Sequence, residues 1–150
     1  MTTRAAVDSV LNEKNLAVIG VSRNPQKFGN MVVKELGEKG YKLLPIHPEL
    51  DQVHGVACYR SLDALPEPAG AAFIAVAPDK SAAAVKEAHE AGIRNIWIQQ
   101  MAQSDEAIQY CKDNQLSFVS GECILMHAEP VGSIHKFHRF FKKLFGRMPK

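Results

Sequence analysis

Apolar residues along this chain fall into short unbroken runs, separated by stretches where they recur every three or four positions. These are the two signatures of buried strand and surface helix. Leu16-Ala-Val-Ile-Gly20 is the first run, closed by glycine. From Phe28 the apolar positions Phe28, Val32 and Leu36 draw one helix face, which Gly37 and Gly40 then stop. Tyr41-Lys-Leu-Leu-Pro-Ile46 reads as a second strand, with Pro45 acceptable only near its end because proline cannot donate to a ladder. Strand, helix and strand in about thirty residues make a βαβ unit. Its right-handed crossover makes the two strands parallel neighbours.

The pattern repeats. Ala71-Ala-Phe-Ile-Ala-Val76 is a buried strand, Lys80 to Ala91 a helix ended by Gly92, and Asn95-Ile-Trp-Ile-Gln99 another strand. Ser104-Asp105-Glu106 starts a further helix, in which Ser104 caps free amides and the two acids suit the positive end of the dipole. Leu116-Ser-Phe-Val119 follows as a strand, and a shorter one around Val56 to Tyr59 precedes the turn at Pro66-Glu-Pro68. Continuous apolar strands alternating with helices predict an α/β fold: a Rossmann-like doubly wound parallel sheet in three layers. A chain of 150 residues that is 46% hydrophobic suits one core. A single domain over 1–150 is expected, with its core at about 15–129.

In such a sheet ligands bind beyond the carboxyl ends of the strands, where strand order reverses. After the first strand come Gly20-Val-Ser-Arg-Asn-Pro-Gln-Lys-Phe-Gly29 and then a helix. Gly20 permits close backbone approach, Val21 and Ser22 follow it, and the amides at the helix start accept phosphate. Arg23 and Lys27 add positive charge at the same mouth. The dinucleotide fingerprint G-x-G-x-x-G is absent, and an NAD site also wants an acid ending the second strand to hold the ribose hydroxyls. His47-Pro48 stands there instead, with Glu49 and Asp51 nearby. The mouth favours a nucleotide bearing extra phosphate, and coenzyme A carries a 3′-phosphate on its ribose.

Gly20 to Gly29, Pro45-Ile-His-Pro48, Tyr59-Arg-Ser-Leu-Asp-Ala-Leu-Pro66 and Ala75-Val-Ala-Pro78 together resemble the coenzyme A-binding domain family. That family includes the nucleotide-binding domain of the succinyl-coenzyme A synthetase alpha subunit and short stand-alone bacterial proteins. The resemblance spans roughly Asn15 to Glu129. It implies that Gly20, Val21, Ser22 and Lys27 cradle the phosphates, that Pro45 and His47 border adenine and ribose, and that the loop containing Val76, Ala77 and Pro78 lines the pantetheine or adenine side. Arg23, Phe28, Pro48 and Gln99 complete the candidate cofactor-binding set, for coenzyme A or acyl-CoA. The chain departs from the family pattern in having His47 where relatives often have Asn, and Gln100-Met101 where many stand-alone members have Leu-Gly.

Catalytic machinery is harder to find. The synthetase's phosphorylated histidine belongs to a second domain for which this chain has no room, so the resemblance implies binding without acyl-phosphate chemistry. Alternatives are an NAD(P)-dependent oxidoreductase, a detached subunit of an acyl-CoA ligase, or an interaction protein working through its tail. Cys58, Cys111 and Cys123 are odd in number and lack zinc spacing, which points to a reducing compartment. Cys123 follows the last expected strand and is a candidate redox-responsive thiol beside the ligand, against the ordinary reading of a small buried hydrophobe. His135 and His138 lie three apart without a third ligand, so no metal site is expected.

The tail changes the charge picture. Lys136, Arg139, Lys142, Lys143, Arg147 and Lys150 lie beyond His135 with no acid, leaving 12 basic residues against 16 acidic ones elsewhere. Ile134, Phe137, Phe141, Leu144 and Phe145 draw an apolar stripe opposite those charges, an amphipathic helix at about 131–146. Docking on the sheet or a homodimer contact through this helix is expected ahead of a membrane surface, and nucleic acid is not expected. Met1 to Lys14 holds no signal-peptide pattern, and no run reaches the length of a membrane span. A soluble, cytoplasmic protein is the expectation.

Overall fold

The computed structural model describes residues 3–13 and 15–128. The expected tail helix, with His135 and His138, lies outside them. In chain order the elements are α1 (Arg4–Leu11), β1 (Asn15–Ile19), α2 (Phe28–Glu38), β2 (Lys42–Ile46), β3 (Gln52–Val53), β4 (Val56–Ala57), a 3₁₀ turn (Leu62–Ala64), β5 (Ala71–Ile74), α3 (Pro78–Glu90), β6 (Asn95–Gln99), α4 (Asp105–Asp113), β7 (Ser117–Glu122) and α5 (Ile124–His127). Five strands form one parallel sheet in the order β2-β1-β5-β6-β7. This is the doubly wound Rossmann-like architecture.

Period-two alternation divides the apolar side chains between the two faces. Leu16, Val18, Phe73 and Trp97 point to one side, where Val7 and Val10 of α1, Val32 and Leu36 of α2, and Ile124 of α5 cover them. Ala17, Ala72, Ile74, Ile96 and Ile98 point to the other, under Val85 and Ala88 of α3 and Ala107 and Cys111 of α4. Trp97 and Phe73 are fully buried; burying a side chain of this size contributes roughly 2–3 kcal/mol. The indole Nε1 of Trp97 donates to the Glu122 carbonyl at 3.1 Å, so the ring is buried without an orphaned donor.

Several boundaries differ from the sequence expectation. The run Ala71–Val76 is strand only to Ile74, and α3 starts at Pro78 rather than Lys80, because proline suits the first helical position. The strand expected around Val56 to Tyr59 is two residues long and pairs antiparallel with β3 across a His54-Gly55 turn. Tyr59 meets Ile46 in an isolated parallel bridge. The last strand runs on to Glu122, past a register shift opposite Ile98 and Gln99. Pro45 sits one residue from the end of β2, an edge strand. Its carbonyl accepts from the Tyr59 amide at 2.9 Å, so the missing N–H lies on the outer side of the sheet.

Candidate functional site: the crevice between β1 and β5

From β1 the chain crosses to β2 through α2 on one face. From β5 it crosses to β6, in the opposite direction, through α3 on the other face. Strand order therefore reverses between β1 and β5, and a crevice opens beyond their carboxyl ends. Ile19 is level with both Ile46 and Ile74, so Gly20, His47 and Ala75 emerge side by side from three neighbouring strands. The loops that follow them share one mouth.

The floor of that mouth is backbone packed on backbone. Gly20 has φ +128°, and a Cβ there would run into the Ala75 carbonyl. A Cβ on Gly29 would in turn run into the carbonyl of Gly20. The two glycines thus let the start of α2 and the end of β5 close on the β1 turn. Val21 is buried beneath it. Asn30, 3% exposed, fixes the next residue: its Oδ1 accepts the Ser22 N–H at 2.9 Å and its Nδ2 donates to the Ser22 carbonyl at 2.7 Å. Ser22 Oγ accepts from the Asn24 amide at 3.1 Å, and Asn24 Oδ1 from the Gln26 amide at 2.9 Å, two side-chain-closed turns in succession.

Lys27 occupies the N-cap of α2 and has no side chain able to accept from the first-turn amides. An 11-residue helix thus begins at the crevice without a side-chain cap, beside an exposed ammonium, which is the arrangement that receives an anion. Phe28 opens the helix, 38% exposed, with its ring centroid 6.4 Å from that of Phe73. Across the crevice Val76 is half-buried, and Ala77 is the N-cap of α3, again without a side-chain cap, with Pro78 in the first turn.

Beyond β2, His47 Nδ1 accepts from the Glu49 amide at 3.0 Å and the Leu50 amide at 3.1 Å. Since both partners are donors, the ring carries its proton on Nε2, which is left as a donor. Pro45 is buried and Pro48 exposed. Arg23 bonds Glu49 at 2.7 Å, and this guanidinium holds the Glu49 carboxyl below its ordinary range. Asp51 pairs with Arg60 at 2.8 Å, and the Arg60 fork also donates to the Leu50 carbonyl. His54, at φ +47° in the β3–β4 turn, bonds the Pro25 carbonyl at 3.0 Å. The loops after β1 and β2 are therefore tied together at two points.

Gln99 stands apart from the other candidates. It ends β6, beyond β5 from the crevice, is 6% exposed, and its Oε1 accepts from the Ile124 amide at 3.0 Å. Its visible work is to hold the turn that starts α5. Cys123 is the half-buried N-cap of that turn. Close by, His127 Nε2 bonds Glu122 Oε1 at 2.9 Å, with the imidazole side chain only 2% exposed and its ring tilted against Trp97, centroids 5.8 Å apart. Met101 follows β6 at φ +77°, largely exposed in a conformation suited to glycine. It is one of the two positions where the family pattern has Leu-Gly.

Asn30, Glu49 and His54 were not among the expected site residues. Asn30 had a readable signal, since a polar residue at the third position of a helix reaches back to the segment before it. Glu49 and His54 had none, because their partners lie 26 and 29 residues away.

The sequence pattern of the CoA binding domain matches residues 14–129. The YneT protein of Bacillus subtilis is 26% identical over 123 residues, covering 81% of this chain and 91% of its own length. The alpha subunit of acetate–CoA ligase [ADP-forming] II from Pyrococcus furiosus is 32% identical over 93 residues, 61% of this chain but 20% of that subunit. Among solved structures, a conserved hypothetical protein of Pyrococcus furiosus superimposes with TM-score 0.69 at 35% identity, covering 75% of this chain and 97% of the other. Fold, switch-point loop and sequence pattern agree, and the chain belongs to the CoA-binding domain family.

Proposed function

We propose that the crevice between β1 and β5 binds coenzyme A or an acyl-CoA, and that the domain holds it as carrier, sensor or regulatory partner without chemistry of its own. The observation that carries the reading is the start of α2: a pinned glycine turn, a helix with no side-chain cap, and Lys27 beside it. A diphosphate there receives amide hydrogen bonds, dipole and ammonium together. His47 Nε2 supplies a further donor toward the nucleoside, and the residues from Val76 to Pro78 form the opposite wall.

Two observations support coenzyme A over NAD. The position ending β2 is His47, a donor, where a ribose diol needs an acceptor. The nearby acids are already engaged, Glu49 with Arg23 and Asp51 with Arg60. For the absence of chemistry, the support is that the one imidazole–carboxylate pair among the described residues, His127 with Glu122, buries its ring against Trp97. The ligase similarity favours a second reading, a CoA-binding piece that works with a separate partner chain, since this chain matches only a fifth of that subunit.

Calorimetric titration tests the site. Wild-type protein should bind coenzyme A with one site per chain, and Lys27→Ala should weaken it about tenfold, or about 1.4 kcal/mol. Equal affinity of the two proteins would remove the α2 start from the binding site.

A further inference from the structure

We propose that the β3–β4 hairpin sets the shape of the phosphate loop, with His54 as its positioning residue; the ligand role rests on the coenzyme A site proposed above. Residues 23 to 28 are all exposed. The Asn24, Gln26 and Lys27 amides are spent within the loop, on Ser22 Oγ at 3.1 Å, Asn24 Oδ1 at 2.9 Å and the Asn24 carbonyl at 3.0 Å. Among the described residues, the donors left for an anion are the Arg23 amide and those of the first turn of α2. Pro25 lies between these two groups, so the point where its backbone is held governs their separation. Asn30 secures one end of the loop at Ser22. His54 Nε2 donates to the Pro25 carbonyl at 3.0 Å and secures its middle.

The hairpin is the firmer partner of the two. Val53, 4% exposed, packs into the core, and the Cys58 amide donates to the Asp51 carbonyl at 2.9 Å. Tyr59 donates to the Pro45 carbonyl and accepts from the His47 amide, both at 2.9 Å. The two residues joining Val53 to Val56 have positive φ, +47° at His54 and +81° at Gly55, the pattern of a type I′ turn. Such turns favour Asn-Gly, since asparagine tolerates positive φ well. His54 therefore holds a backbone conformation that asparagine fills at lower cost. Its compensation is the bond to Pro25, 29 residues away.

His54→Asn on the full chain separates turn stability from loop positioning, because asparagine suits the turn and its shorter side chain withdraws from Pro25. The urea midpoint should stay at or above that of wild type. Trypsin cleavage after Arg23 and Lys27, followed without ligand, should become roughly fivefold faster as the loop opens. Coenzyme A affinity in calorimetry should fall roughly fivefold. His54→Gln, whose amide reaches about as far as Nε2 and donates in its place, should restore cleavage and affinity to within about twofold of wild type. Wild-type cleavage and affinity in His54→Asn would overturn the proposal, and so would losses that glutamine fails to restore. The two readings fail separately: wild-type protein that does not bind coenzyme A removes the proposed function and the ligand role of His54 with it, whereas binding that His54→Asn leaves unchanged removes only the role of His54.

Discussion

Asn30 closes a two-bond ring on the backbone of Ser22, accepting its N–H at 2.9 Å and donating to its carbonyl at 2.7 Å, and so fixes the turn at the crevice from inside α2. Replacing Asn30 with alanine removes both bonds from a buried position. At about 1 kcal/mol net per bond, Asn30→Ala should lower stability by about 2 kcal/mol in urea unfolding. Coenzyme A affinity should fall at least tenfold in calorimetry, because the Ser22 turn is no longer held.

The same substitution should have opposite signs at two glycines of α2. A Cβ at Gly29 meets the Gly20 carbonyl, a backbone atom that cannot rotate away, so Gly29→Ala should cost about 2 kcal/mol. A Cβ at Gly37 meets only Leu43 Cδ2, at 3.9 Å, and Gly37→Ala should stabilise by about 0.5–1 kcal/mol through helix propensity. Paired urea titrations of the two variants read both signs.

Much of the fold can be read locally. β6 coincides with the expected Asn95–Gln99, and α4 starts after Ser104, whose hydroxyl accepts the Ala107 amide at 3.1 Å. Each of those elements carries its own signal, a bounded apolar run or a cap. α1 carries little local signal because its buried face is only Ala6, Val7 and Val10, and α5 carries none because four residues show no period. The site divides the same way: the glycine turn and Lys27 are consecutive in sequence, whereas the Arg23–Glu49 tie and the Gln99 hold on Ile124 exist only once strands are neighbours.

Met101 holds φ +77°, where a side chain crowds its own backbone and glycine does not. Met101→Gly should therefore raise stability by about 1 kcal/mol despite deleting a side chain. The melting temperature should rise, and a fall would show that the Met101 side chain is held by contacts stronger than its backbone strain.

Burial pushes the Cys111 thiol up to about 12. The folded value lies above the unfolded one, so the stability linked to this group is intact below about pH 8.5 and declines as pH rises from there toward 12. Wild-type protein should lose stability across that range more steeply than Cys111→Ala. Parallel slopes of unfolding free energy against pH would contradict the burial effect.

Glu49 neutralises Arg23 at the rim of the crevice through a largely exposed pair, which contributes little to stability. Glu49→Gln should leave the urea midpoint nearly unchanged and free the guanidinium for the ligand. Coenzyme A should then bind about threefold tighter at low salt, by roughly 0.7 kcal/mol, with the gain fading as ionic strength rises.

On the proposed function, the turn from Gly20 to Gly29 receives the diphosphate of a pantetheine-bearing nucleotide. Thermal unfolding of the wild-type chain with coenzyme A, acetyl-CoA, NAD, NADP or ATP, each at equal concentration, tests it most directly. A ligand at a hundred times its Kd stabilises the native state by about 2.7 kcal/mol. The melting temperature should rise by several degrees with coenzyme A or acetyl-CoA and stay within error with NAD; a rise with NAD and none with either coenzyme A species would rule out a coenzyme A site at this turn.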